Sequence, residues 1–490
     1  MNTEIQPNIT HAAKWAYMAE SVNRLVRPIV TLIIASFLTP EDYGVVALTI
    51  TITATASLLW SLGLPTALIQ RKDDLDDAAN VTFWLNGCLA LLVFIVLVGG
   101  RDFWGRLFHE PRVAQALPIM SVPVLLDGLS MVQNALLQKR MAFSRLFWRS
   151  TLPSSIPLLV TLPLAISGYG FWSIAWGTAI GSLVGNVALW IGSGWLPHFH
   201  FNYRIAKEMV RFGIPTLGEA FQNWLENQAD RGLLGLFFST SYIGVYSLAV
   251  TVYSSIYGFV FSPIKSVGYA SLCQFVDRPE EQKKRFLKWQ QLIALVALPL
   301  GIGIVFVAPW IEKIVFGERY PGLAIMLRLL SIYYIASFSQ GLFAALFRAT
   351  GFPKTMLIVN LINACFIVVL YPLGAMKEIQ AFLLFRGLIS FSVLGLTMIF
   401  INKKLTVDLK AQLKPFLGPL AASFLMGLVL LAMARLLMES INLFTWFWLL
   451  FIVVSGLVIY LLAVRWMAPS AFALAWSYVV STLRGKKAAI

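Results

Sequence analysis

The sequence predicts an all-α polytopic membrane protein of about 14 transmembrane helices, arranged as two six-helix lobes followed by two extra C-terminal helices. Three observations support this class. Hydrophobic residues make up 58% of the 490 residues and charged residues only 12%, whereas a soluble globular chain carries about 25% charged residues. Fourteen apolar stretches approach the length of about 20 residues that a membrane-spanning helix needs. An internal repeat also relates the first half of the chain to the second.

The apolar stretches follow one another along nearly the whole chain. The fifth and sixth are separated only by residues 167–170, Ser-Gly-Tyr-Gly, which predicts a tight helical hairpin. The first, seventh and eighth stretches are the most polar. The fourteen predicted spans are 15–38, 43–66, 80–100, 114–137, 150–167, 171–195, 210–236, 242–267, 290–309, 322–346, 355–373, 380–401, 414–437 and 443–465.

The repeat has an offset of 200 residues and aligns residues 34–51 with residues 234–251. Both copies start on helices that run in the same direction, six spans apart, so the repeats are parallel. This predicts an N-terminal lobe of residues 1–203, a second lobe of 204–405, and two further helices with a cytoplasmic tail in 406–490. The identical pairs are Phe37/Phe237, Gly44/Gly244, Val45/Val245, Leu48/Leu248 and Thr51/Thr251.

The formal net charge is +15, and its distribution predicts the orientation of the chain. Of the lysines and arginines in the loops and tails, 25 lie on the side of the two termini and 6 on the opposite side. Cytoplasmic loops carry this excess in membrane proteins, so both termini are predicted to be cytoplasmic. We expect no nucleic-acid partner, because no basic run carries the interleaved aromatic residues of a binding face.

The first span carries charges that a membrane helix tolerates poorly. Glu20, Asn23, Arg24 and Arg27 fall on one narrow stripe at helical spacing. Each arginine at mid-membrane costs about 2.5–3.5 kcal/mol, while a leucine or valine returns only about 0.3–0.6 kcal/mol. The stripe therefore faces a bundle interior or a watery cavity. Arg24 and Arg27 can hold a diphosphate bidentately, so we expect them, with Asn23, to bind an anionic substrate.

The seventh span carries a second polar stripe, which is acidic. In one interpretation its carboxylates pair with the arginines of the first span. In the other they bind a coupling cation or proton, because buried carboxylates beside cations suit proton relays. The two interpretations are compatible. The stripe residues are Glu219, Gln222, Asn223, Glu226 and Asp230, with Arg231 to one side.

Three further charges inside predicted spans are candidates for a functional role. Asp127 shares one helix face with Asn134 and Gln138, and we add Asp127 and Glu20 to the coupling candidates. Arg328 and Arg386 each lie about six residues from the outer end of their span, within snorkelling reach of the interface. They are included as further candidates for substrate binding in the lumen.

No metal or cofactor is predicted. The Asp73–Asp77 run contains a DxD pattern but precedes a helix, where acidic residues favour the helix dipole. His198 and His200 lack further ligands nearby in sequence, and the three cysteines lie far apart. Residues 39–44, Thr-Pro-Glu-Asp-Tyr-Gly, are predicted to form a capped turn at a helix start.

The chain resembles the Wzx-type polysaccharide flippases of the multidrug/oligosaccharidyl-lipid/polysaccharide exporter superfamily, in particular the colanic acid exporter-like branch. The resemblance spans most of the first twelve helices and is a chain-wide pattern. The matching stretches are FLTPEDYGVVAL at 37–48, LGLPTALIQRKD at 62–73, FWLNG at 83–87, LLQKRMAFSRL at 136–146, IGVYSLA at 243–249 and VFGERYPG at 315–322.

The resemblance implies two six-helix bundles, alternating access, and an undecaprenyl-diphosphate-linked oligosaccharide as cargo. We therefore expect a monomeric bacterial inner-membrane flippase for exopolysaccharide or O-antigen synthesis. Its expected partners are membrane lipids and, as candidates, the polysaccharide polymerase and export machinery. A membrane polymerase or ligase is disfavoured because the longest outer loop runs only from about Arg101 to Val113. A drug or small-cation exporter is disfavoured because it would need an acidic lumen.

Overall fold

The computed structural model describes residues 30–61, 63–141, 155–317, 319–437 and 445–483. Regular secondary structure in these ranges is helical throughout, and ten of their helices are long and apolar enough to cross a membrane. The predicted all-α polytopic class is therefore confirmed. The count of fourteen spans stays a prediction, because the first, second, fifth and seventh predicted spans are not among these ten helices.

The chain forms two compact units that divide between Leu248 and Ala249, while the predicted lobe limits at 203 and 405 stay predictions. The first unit begins, in its described part, with helical residues 30–35. Its further helices are α1 (Pro40–Ser61), α2 (Leu64–Gln70), α3 (Leu75–Gly99), α4 (Arg101–Leu107), α5 (Pro111–Met120), α6 (Val122–Leu129), α7 (Met131–Lys139), α8 (Leu162–Ile166, preceded by the π-helical turn Pro157–Thr161), α9 (Phe171–Ser193), α10 (Tyr203–Asn227) and α11 (Ala229–Phe237).

Helix α12 (Thr240–Ile256) crosses the division and continues as the π-helical turn Tyr257–Phe261. In the second unit, Leu295, Met426 and Tyr460 belong to one buried core, and the Tyr460 hydroxyl donates to the Leu295 carbonyl at 2.7 Å. Its helices are α13 (Ser262–Cys273), α14 (Pro279–Trp310, followed by the π-helical turn Ile311–Val315), α15 (Leu323–Ala349), α16 (Pro353–Ala375), α17 (Ile379–Leu405), α18 (Leu409–Leu437), α19 (Thr445–Met467) and α20 (Pro469–Leu483).

Two turns predicted from the sequence are confirmed. At the start of α1, the Asp42 amide donates to Thr39 Oγ1 at 3.2 Å, and the Thr39 hydroxyl donates to Asp42 Oδ2 at 2.9 Å. This reciprocal pair satisfies a backbone donor that the helix itself cannot satisfy. Between α8 and α9, Gly168 and Gly170 have φ angles of 82° and 55°, which residues with a Cβ atom adopt only at a cost.

The seventh predicted span differs from the expectation of one helix over 210–236. Helix α10 begins earlier, at Tyr203, where the Asn202 side chain caps the first turn. It ends at Asn227, and Gln228 adopts a non-helical φ of −129° before α11 begins at Ala229. The regular 100° spacing used for the acidic stripe therefore does not extend through Gln228 to Asp230.

The internal repeat is visible in how α1 and α12 cross. The two helices begin at Pro40 and Thr240, 200 residues apart. A Cβ atom on Gly44 would lie 1.9 Å from the Thr240 carbonyl oxygen, and one on Gly244 would lie 1.8 Å from the Pro40 carbonyl oxygen. Equivalent residues of the repeat thus contact each other reciprocally. Glycine is required at both positions because it lets the two backbones approach closely.

Candidate functional site

Four of the predicted site residues, Glu20, Asn23, Arg24 and Arg27, lie outside the described residues, so their roles stay predictions. Glu219 lies on α10, where only its backbone is described. The remaining candidates fall into a polar cluster where α10 and α11 meet α1, a hydrogen bond between α6 and α9, and two arginines of the second unit.

Hydroxyl groups of α1 face polar side chains of α10 and of the Gln228 break. The Trp224 indole donates to Thr55 Oγ1 at 2.9 Å, and Thr51 Oγ1 lies 3.4 Å from Gln228 Oε1. A Cβ atom on Gly232 would lie 3.3 Å from the Thr51 methyl group, so α11 also packs closely on this part of α1. These contacts form a continuous polar cluster inside the first unit, which we call the α11 cluster.

Asp230 of the predicted stripe is buried, with 2% of its surface exposed. The Tyr246 hydroxyl of α12 donates to Asp230 Oδ2 at 2.5 Å, and the Arg231 amide donates to Oδ1 at 2.7 Å. A buried carboxylate is tolerated only when such donors replace water. Asp230 therefore joins α11 to α12, which supports a structural role and leaves a coupling role as a prediction.

Arg231 also belongs to this site, although the sequence pattern predicted no role for it. Its Nη1 atom donates to the Asn227 carbonyl at 3.2 Å and to Gln228 Oε1 at 3.3 Å. Its Nε atom is buried and has no hydrogen-bond partner among the described residues. The guanidinium is thus held by neutral oxygens in that part of the chain, which leaves its positive charge available to an anion. The sequence signal was a charge inside a span, one position beyond the stripe.

Glu226 and Asp127 occupy different surroundings. The Gln222 side chain, one turn earlier on α10, donates to Glu226 Oε1 at 3.3 Å. Asp127 lies on α6, where Asn186 of α9 donates to its Oδ1 atom at 3.0 Å. Asn186 also donates to the Ser182 carbonyl at 2.9 Å, so the α6–α9 contact fixes the orientation of this amide. A coupling role for either acid stays a prediction.

The two arginines of the second unit make contacts that favour structural roles. Arg386 is 3% exposed, and its guanidinium carbon lies 4.1 Å from the centre of the Tyr333 ring, a cation–π geometry. Arg328 is exposed, and its Nε atom donates to the Val305 carbonyl at 2.9 Å. That carbonyl would bond the amide four residues later, but Pro309 has no N–H. Arg328 therefore replaces the hydrogen bond that Pro309 removes from α14.

We expect the Arg328→Ala variant to lose about 1–2 kcal/mol of stability, because the Val305 carbonyl loses its donor. In a Pro309→Ala background the helix supplies its own amide, so the same arginine change costs less. Melting temperatures of the four proteins in one detergent measure this coupling. An equal loss in both backgrounds contradicts the structural role. Loss of transport at unchanged stability in the Pro309→Ala background would instead support the predicted substrate role.

Ten helices able to cross a membrane, an internal repeat and polar side chains held between helices define an all-α multi-pass membrane protein. Residues 33–325, more than half of the chain, match the family described as "Polysaccharide biosynthesis protein". The chain belongs to this family, which confirms the resemblance seen in the sequence.

Two relatives and one solved structure illustrate the match. The succinoglycan biosynthesis transport protein ExoT of Rhizobium meliloti (strain 1021) is 23% identical over 312 residues, or 64% of this chain and 63% of ExoT. The lipopolysaccharide biosynthesis protein WzxC of Escherichia coli (strain K12) is 21% identical over 327 residues, or 65% of each chain. The match thus spans slightly less than two thirds of either relative.

The lipid II flippase MurJ, in an inward closed conformation, has a TM-score of 0.72 at 16% identity, over 92% of this chain and 97% of that chain. That similarity concerns the fold.

Proposed function

We propose that the protein is an inner-membrane flippase that translocates undecaprenyl-diphosphate-linked oligosaccharide repeat units by alternating access. The observation that carries this proposal is the Arg231 guanidinium, which is held inside the first unit by neutral oxygens and has a buried Nε atom without a partner in the described residues. The main barrier to translocation is desolvation of a polar, anionic head group. A fixed guanidinium lowers that barrier because it replaces water around a phosphate.

The α11 cluster also offers surfaces that fit a sugar. Phe221, which is 54% exposed, stacks on Trp224 with ring centres 5.7 Å apart. Such an aromatic face can cover the apolar face of a sugar ring, while neighbouring polar groups bind its hydroxyls. In this mechanism the arginines Arg24, Arg27 and Arg231 bind the diphosphate, the α10 aromatics contact the sugar, and the lipid tail stays in the bilayer.

Coupling to an ion or proton would use carboxylates of the first unit. The sequence has no aspartate or glutamate within any predicted span between residues 249 and 465. The candidates are therefore those predicted from the sequence: Glu20, Asp127, Glu219, Glu226 and Asp230. Of these, Asp230 has contacts that would change with its charge, because Tyr246 donates a hydrogen bond to its carboxylate.

The proposal includes a location and partners. The excess of lysine and arginine in alternate loops supports cytoplasmic termini, so the cargo would enter from the cytoplasm and leave outside. Membrane lipids surround the protein, and the polysaccharide polymerase and export machinery are candidate partners for the released cargo. We propose a monomer as the working unit.

A strain without the chromosomal copy of the gene tests this function. We expect it to lose surface polysaccharide and to accumulate lipid-linked repeat units, and the wild-type gene to reverse both effects. Arg231→Gln should reduce the polymer at least tenfold at normal protein amount, because one charge-assisted contact to the diphosphate is lost. Lys207→Gln, which removes an exposed charge from α10, is the matched control. Normal polymer without accumulated intermediate in the deletion strain contradicts the proposal.

A further inference from the structure

A cavity of about 690 Å³ lies against α4 and α5, apart from the α11 cluster. Its polar lining consists of Arg101, Asp102, Arg106, His109 and Gln115. Helix α4 is tied to α5 by close packing, since a Cβ atom on Gly105 would lie 3.1 Å from the Ala114 methyl group. The two short helices therefore hold the polar side chains around one space.

Positively charged residues are concentrated beside this cavity, although the predicted outer loops contain few of them. The predicted outer loops hold only six lysines and arginines, and three of them, Arg101, Arg106 and Arg112, lie within twelve residues. The positive charge of Arg112 is already balanced by Glu110, because its Nε and Nη2 atoms donate to the two carboxylate oxygens at 2.8 Å each. The same hydrogen bonds lower the pKa of Glu110, so this pair stays ionised.

Arg101 and Arg106 keep most of their donors available. Arg101 Nε lies 3.9 Å from Asp102 Oδ1, beyond hydrogen-bond distance. Arg106 Nε donates to the Asp102 backbone carbonyl at 3.3 Å. The terminal Nη atoms of both arginines make no hydrogen bond within the described part of the chain. Two guanidinium groups and one carboxylate thus give the cavity a net positive charge.

The aromatic residues of α4 indicate the depth of the cavity in the membrane. Helix α3, a candidate membrane span, ends at Gly99, and α4 follows after Gly100. Phe103 of α4 is 55% exposed and contacts Trp104 edge to face at 5.4 Å. Trp104 is half-buried, and a tryptophan at the end of a span is typical of the membrane–water interface, at the level of lipid head groups.

We propose that this cavity binds the phosphate head group of an anionic membrane lipid. The forked guanidinium groups of Arg101 and Arg106 match the oxygens of a phosphate, and the site lies at the depth where such phosphates occur. None of the residues that line the cavity belongs to the α11 cluster, and the proposal does not depend on the cargo. Asp102 opposes the ligand through its negative charge, so it limits the affinity.

Native mass spectrometry of the purified protein with dihexanoyl phosphatidylglycerol tests this site. We expect the wild type to bind one lipid at this site, and the Arg101→Gln, Arg106→Gln double variant to bind it at least tenfold more weakly. Asp102→Asn should bind more tightly, because it removes the opposing charge. Lys377→Gln, which removes an exposed charge from the loop between α16 and α17, is the matched control and should bind as the wild type does. Dihexanoyl phosphatidylcholine, which has no net charge, should bind more weakly.

Several outcomes would overturn the proposal. Equal binding by the wild type and the double variant excludes the two arginines. Weaker or unchanged binding by Asp102→Asn excludes the cavity as the lipid site. If the double variant does not fold, the Asp102→Asn variant alone decides, because it keeps both arginines. Inorganic phosphate that competes as well as the lipid, at equal concentration, identifies free phosphate as the ligand. Binding of an acidic peptide but not of the lipid identifies a protein partner instead.

Discussion

We expect alanine at both Arg24 and Arg27 to abolish polymer export in cells, while the protein remains in the membrane at the wild-type amount. In the proposed mechanism each guanidinium would supply a charge-assisted contact worth about 1.5–3 kcal/mol to a diphosphate. Losing two such contacts weakens binding by about two to four orders of magnitude, since about 1.4 kcal/mol is tenfold. Surface polysaccharide and membrane protein are measured in the same cultures of a complemented deletion strain.

The controls separate binding from folding. Lysine at both positions should restore part of the export, because the charge remains and the forked geometry is lost. Alanine at Arg204, whose side chain is 89% exposed on α10, should leave export unchanged. Normal polymer in the double alanine variant contradicts a role of these arginines in the lumen. Loss of the protein itself would instead favour structural pairing with the acids of the seventh span.

Alanine at Gly44 or at Gly244 is expected to prevent the protein from folding stably. The added Cβ atom would lie within 2 Å of a backbone carbonyl oxygen of the opposite helix, at Thr240 or Pro40. A backbone atom cannot rotate away as a side chain does, so α1 and α12 must separate, at a cost of more than about 3 kcal/mol. The two variants should lose similar stability, because the contacts are reciprocal.

Fluorescence-detected size-exclusion chromatography after heating measures this loss for Gly44→Ala and Gly244→Ala. Gly395→Ala on α17 is the matched control, because no atom lies within 4 Å of its added Cβ atom. We expect the control to melt close to the wild type. A melting temperature of Gly44→Ala equal to that of the control would show that the two helices do not cross as closely as described.

Features set by local sequence could be predicted. The capped start of α1 follows from Thr39 and Asp42, and the turn before α9 follows from Gly168 and Gly170. Both depend on residues within a few positions of each other. The 200-residue offset of the repeat could also be found in the sequence, and it predicted that α1 and α12 begin at equivalent positions.

Features set by contacts between distant residues could not be predicted. The break at Gln228 invalidated the assumption of one regular helix, and it placed Arg231 beside Gln228 and Asn227. The free carbonyl at Val305 could be inferred from Pro309, but its partner Arg328 lies 23 residues away on another helix. Periodicity describes the face of a single helix and carries no information on which neighbour covers it.

Transport in liposomes tests the central claim most directly. The purified protein is reconstituted with a fluorescent undecaprenyl-diphosphate oligosaccharide. The label in the outer leaflet is first bleached, and a membrane-impermeant quencher is then added outside. The assay is run with and without a pH gradient, and with and without a sodium gradient, so that coupling to either ion is detected. The account predicts renewed quenching as labelled lipid reaches the outer leaflet, and none in protein-free liposomes or with the Arg24→Ala, Arg27→Ala variant. Quenching no faster than in protein-free liposomes under every gradient, together with uptake of a small cationic dye, would contradict it.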